Sequence, residues 1–107
     1  MTATSSQRFE LVFAHDHPSF AGHFPGQPVV PGVLLLGDIV AAIARATGLS
    51  IERLSQARFS HAIRPSEVVG VSWRRDGAAV RFSASIDTPQ GPKQVADGQL
   101  VLTEGGP

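Results

Sequence analysis

Hydrophobic and polar positions alternate over residues 8–15, with Phe9, Leu11 and Phe13 on one side, and this predicts a strand. Residues 16–24 are dense in His, Gly, Pro and Phe and fit neither a strand nor a helix. From Pro31 the period changes. Proline suits a first helical turn, where a missing N–H costs nothing, and Val33, Leu34, Leu35, Leu36, Ile39, Val40 and Ile43 then point in nearly every direction around a helix axis. A helix that is apolar all round is a buried helix, and Gly48 supplies its stop signal. Strands are predicted next over 54–63 and 67–74, the second with Val69, Val71 and Trp73 on one face. Asp76-Gly77 marks a tight hairpin. Residues 79–87 alternate, with Val80, Phe82, Ala84 and Ile86 opposite Arg81, Ser83 and Ser85. Pro89-Gln90-Gly91-Pro92 turns the chain into a last strand over 94–103.

One strand, one buried helix and an antiparallel meander make an α+β chain. A single helix is covered on all sides only if a sheet wraps around it, or if a partner covers what the sheet leaves bare. That is the hot-dog arrangement, an antiparallel curved sheet wrapped around one long central helix. At 107 residues the chain is one domain's worth, expected over 7–104, with flexible ends at 1–6 and 105–107.

Charge and composition narrow the function classes. Nine basic residues balance nine acidic ones, which leaves no electrostatic footprint for nucleic acid or an anionic membrane. Without cysteine there is no disulfide scaffold and no thiolate site. The first residues lack both a basic and an apolar segment, so no signal peptide is expected, and no apolar run is long enough to span a bilayer. A cytoplasmic protein is the expectation.

The informative segment is 22–34, which reads GHFPGQPVVPGVL. It closely resembles the active-site signature of the bacterial 3-hydroxyacyl-acyl-carrier-protein dehydratases, G-H-F-P-G-x-P-x-x-P-G-V/C-L, with the same spacing throughout. More loosely, Arg58-Phe59 leading to Ile63-Arg64-Pro65 resembles that family's R/K-F-x-x-P-x-x-P-G strand and turn. The resemblance implies dehydration of 3-hydroxyacyl thioesters on acyl carrier protein or coenzyme A to enoyl thioesters, in fatty acid or related acyl-chain biosynthesis. It also implies a homodimer, or a homo-oligomer of dimers, in which each site combines the histidine of one subunit with the acid of the other. No metal or organic cofactor is needed.

The residue types suit that chemistry. The reaction removes a proton beside the thioester carbonyl and protonates the departing hydroxyl. A neutral imidazole can take the first proton at neutral pH, the role the resemblance gives to His23. Charge developing on the thioester oxygen is stabilised by a backbone N–H at a helix start, which the resemblance assigns to Gly32; the bland alternative is a glycine suited to a tight turn into the helix. Phe24, Pro31, Val33 and Gly37 are read as substrate-binding positions. Pro25, Pro28 and Pro31 stiffen the loop so that the imidazole is positioned beforehand.

One position departs from the family. The helical acid that lies fourteen residues after the histidine is replaced here by Gly37, and the nearest carboxylate is Asp38. One residue on a helix is a rotation of about 100°, so Asp38 does not simply substitute. Three readings stay open: Asp38 is the acid on a rotated or distorted helix; water or another residue protonates the leaving group; or catalysis is lost and the domain binds acyl thioesters or a partner. A carboxylate on a buried helix is costly unless it is hydrogen-bonded or functional, which favours the first. A thioesterase on the same fold is a further alternative.

Other polar residues carry less. His15, Asp16 and His17 read as surface rather than a metal site, and His61 as structural. Arg74-Arg75 flanks a hairpin as a solvated turn, with docking of an acidic carrier as its functional alternative. Ser19 and Ser60 lack the G-x-S-x-G setting of a hydrolase nucleophile.

Overall fold

The computed structural model describes residues 5–13, 30, 32–64 and 66–103. Within them the order is β1 (Ser5–Val12), α1 (Gly32–Thr47), β2 (Ile51–Phe59), β3 (Val68–Asp76), β4 (Ala79–Thr88) and β5 (Gly91–Leu102). The strands form one sheet in the order β1-β3-β4-β5-β2, and every pairing is antiparallel. The chain therefore leaves one edge of the sheet at β1, passes through the helix, and returns at the opposite edge as β2 before the β3–β4–β5 meander fills the middle.

Alternation decides which face is buried. Val69, Val71 and Trp73 of β3 and Val80, Phe82, Ala84 and Ile86 of β4 join the core, together with Leu35, Ile39 and Ile43 of the helix. Removing each large side chain from water is worth about 1.5–3 kcal/mol. In β5 the partner register slips by one between Ala84↔Ala96 and Ser85↔Gln94. This is a β-bulge, and it leaves Val95 and Ala96, adjacent in sequence, both buried. The β3–β4 turn falls on Gly77-Ala78, with Gly77 at φ 63°, while Asp76 pairs with Ala79. Gly48, at φ 72°, ends the helix and donates its N–H to Ala44 O at 2.9 Å.

The structure corrects the expectation of a helix buried all round. Its buried residues are Leu35, Ile39 and Ile43 alone, one stripe spaced by four, and Val33 is 81% exposed. A single sheet can cover only one side of a cylinder, so the wrapping expected from the pattern stops at that stripe within one chain. Ser5 and Ser6, within the end expected over 1–6, belong to β1 and pair with Arg75 and Arg74.

Candidate active site

The helix start is held by a connector between β2 and β3. Val30 forms an isolated antiparallel bridge with Ile63, its N–H donating to Ile63 O at 2.8 Å. On the other side of residues 14–29, Phe13 O accepts a hydrogen bond from Ser66 N at 2.8 Å. Phe13, Val30 and Ile63 are all buried. Phe13 and Val30, the described residues that flank the histidine-bearing segment, are thus both pinned to one connector. The bulge contributes as well, since Val95 O accepts from Ser60 N at 2.8 Å and ties the start of the connector to β5.

The connector is itself braced. Arg64 N donates to Glu67 Oε1 at 2.7 Å, and Glu67 N donates to Arg64 O at 3.3 Å. Between them Ser66 adopts φ 73°, a left-handed conformation that a residue with a Cβ takes at a cost. It stands where the strand-and-turn motif of the dehydratases has glycine.

Of the residues singled out from sequence, His23, Phe24 and Pro31 lie outside the described residues, as do His15, Asp16, His17 and Ser19. Gly32 opens the helix, and its surroundings were not foreseen. A Cβ placed on it would lie 3.3 Å from three ring atoms of Phe59. Glycine at this position therefore lets the Phe59 ring lie against the helix start, whatever its N–H does. Phe59, half exposed at the end of β2, was missed as a site residue; the R-F pair in the second motif was the signal that could have found it.

Gly37 and Asp38 sit on the other side of the helix from the core. Counted from Ile39, Gly37 is turned by roughly 160° and Asp38 by about 100°. Both are exposed, and no atom lies within 4 Å of a Cβ built on Gly37. Asp38 makes no hydrogen bond or ion pair among the described residues. Asp38 is not buried within its own chain, so burial there gives it no need of a functional role. The position that carries the acid in the dehydratases faces away from the chain's own sheet. His61 is exposed in the connector, which removes the reason to read it as structural. No helix among the described residues is long and apolar enough to cross a membrane.

Comparison with known proteins bears on the fold and the family. The chain is 32% identical over 104 residues to the 3-hydroxyacyl-[acyl-carrier-protein] dehydratase FabZ of Chlamydia trachomatis, in a match covering 84% of this chain and 62% of that protein. The chain therefore spans less than two thirds of the length of this relative. A solved structure of an uncharacterized protein from Erwinia carotovora superposes with a TM-score of 0.83 at 25% identity, covering 96% of this chain and 86% of the other. The dehydratase heterocomplex ApeI:P from Xenorhabdus doucetiae superposes with a TM-score of 0.76 at 23% identity, covering 95% and 90%. The fold is the hot-dog fold. The ApeI dehydratase family model matches residues 1–99, and the chain belongs to the ApeI-like dehydratase family.

Proposed function

We propose that this protein dehydrates 3-hydroxyacyl thioesters, carried on acyl carrier protein or coenzyme A, to enoyl thioesters, and that it works in the cytoplasm as a homodimer. The observation that carries the reading is the 22–34 segment, whose dehydratase spacing runs unbroken through Val30, pinned to Ile63, and into Gly32 at the first turn of α1. In the proposed reaction His23 takes the proton from the carbon beside the thioester carbonyl. The electron pair forms the new double bond as the C–O bond breaks, and the hydroxyl leaves as water after receiving a proton. The Gly32 N–H stabilises the charge on the thioester oxygen, while Phe24, Pro31, Val33 and Gly37 contact the acyl group.

Asp38 of the second subunit is the proposed proton donor. Two features support a second subunit. The helix leaves Val33 and the Gly37 side bare, and β2 is an edge strand exposed along nearly its whole length, of the kind that pairs with another chain. The second reading, a domain that binds acyl thioesters without turning them over, is favoured by one observation: glycine occupies the acid's position.

The test follows enoyl absorbance with a 3-hydroxyacyl thioester. His23→Ala is expected to fold and to lose about a hundred- to ten-thousand-fold in turnover. Unchanged turnover in that variant would sink the assignment of His23. A wild-type protein that binds the thioester without turnover would favour the binding domain.

A further inference from the structure

The sheet face opposite the helix has its own chemistry. Arg74 of β3 lies directly across from Arg81 of β4, and two rungs along, on the same face, Ser72 lies across from Ser83. These four neighbours, in the middle of the sheet, form a block of hydrogen-bond donors. They line an open groove of ≈ 490 Å³ whose lining also includes Gln99, Arg58 and Asp97. Trp73 and Phe82 also border the groove, but they alternate with these residues and belong to the core with Leu35, Ile39 and Ile43, so the groove lies on the side away from α1.

Charge on this face is not balanced locally. Like charges directly opposite one another in a sheet are destabilising, and neither Arg74 nor Arg81 has an ion pair or side-chain hydrogen bond among the described residues. The one carboxylate in the groove is already engaged on both oxygens: Asp97 Oδ1 faces Arg58 Nε at 3.4 Å, and Oδ2 accepts from Gln94 Nε2 at 2.5 Å. Two guanidinium forks stand on Cβ atoms about 5 Å apart, a spacing one tetrahedral dianion can bridge. Each fork can donate two parallel N–H bonds to it, and the serine hydroxyls can supply further donors.

We propose that this outer face binds a phosphate dianion, free or as a phosphomonoester, between Arg74 and Arg81, at a site separate from the thioester site on the helix side. The proposal does not depend on the dehydratase reading, and its test uses no turnover. The full chain is titrated with inorganic phosphate and, separately, with glycerol 1-phosphate, against sodium chloride at matched ionic strength. Melting temperature and the fluorescence of the single tryptophan, Trp73, are followed. A saturable rise in melting temperature with phosphate and not with chloride is expected, and the lower of the two midpoints tells whether the site prefers free phosphate or a phosphomonoester. Arg74→Gln and Arg81→Gln each remove the like-charge contact, so both variants should fold at least as well as the wild type. Each is expected to weaken binding about tenfold or more. A rise that is linear in phosphate, equal to that in chloride, or undiminished in the Arg74→Gln/Arg81→Gln double variant would overturn the site.

Discussion

Ser66 shows how a single residue sets the geometry around the site. Its N–H must reach Phe13 O, and the turn that achieves this puts its φ at 73°. A left-handed residue with a Cβ costs roughly 1–2 kcal/mol, and glycine recovers most of that while losing some entropy in the unfolded chain. Ser66→Gly is therefore expected to stabilise the fold by about 0.5–1 kcal/mol, read from chemical denaturation, with turnover preserved. A destabilised variant would mean that the hydroxyl matters more than the backbone. Gly32 poses a different question, because the packing need and the chemical need coincide there. Gly32→Ala drives a methyl group to 3.3 Å from the Phe59 ring, a tight contact that the ring must yield to. If packing is the whole reason for glycine, adding Phe59→Ala to Gly32→Ala should restore both stability and turnover. If close approach of the substrate is the reason, stability should return while turnover stays low, and that second result is the expected one.

At the scale of elements, the helix frames the question of the acid. Its buried stripe of Leu35, Ile39 and Ile43 fixes its rotation against the sheet, so Gly37 and Asp38 cannot exchange places without unpacking the core. The competing readings therefore make different demands of two variants. With Asp38 as the acid, Asp38→Asn should lower turnover about a hundredfold or more while acyl-thioester binding survives. Gly37→Glu meets no atom of its own chain within 4 Å of a Cβ, and should raise turnover only if the acid is genuinely missing. An increase in Gly37→Glu together with an unaffected Asp38→Asn would take the role away from Asp38. Legibility from sequence followed the same physics. The central strand β4 was readable residue by residue, because its two faces meet core and water in turn: Val80, Phe82, Ala84 and Ile86 are buried, and Arg81 is exposed. The edge strand β2 was expected over 54–63 and runs Ile51–Phe59. It is exposed on nearly every residue, so no alternation marks its ends, and Ile63 belongs to the bridge with Val30 instead. The candidate site rests on a motif, whose glycine and proline spacing is written in local sequence. The Phe59 ring on Gly32 joins residues far apart in the chain and leaves no periodic trace.

For the molecule as a whole, the apolar helix is the feature the single chain leaves unexplained. Val33 stands 81% exposed on a helix whose sequence is apolar in nearly every direction, and the acid's position faces away from the sheet. In the proposed homodimer the partner covers that side and supplies its Asp38 to the first chain's His23, which would make dimerisation and completion of the site one event. Sedimentation should then report a particle of about 23 kDa, twice the 11.3 kDa of one chain. Mass alone cannot separate a shared site from two sites that happen to sit on a dimer, but mixing can. His23→Ala and Asp38→Asn chains are each expected to be inactive alone. Unfolded together and refolded, they should assemble at random, with half of the dimers mixed. In each mixed dimer the intact His23 and the intact Asp38 come from different subunits, so one site of its two is native. Turnover should return to about a quarter of the wild-type level, read by the same enoyl absorbance. If each site were built within one chain, every site in the mixture would still lack a group, and no activity would return.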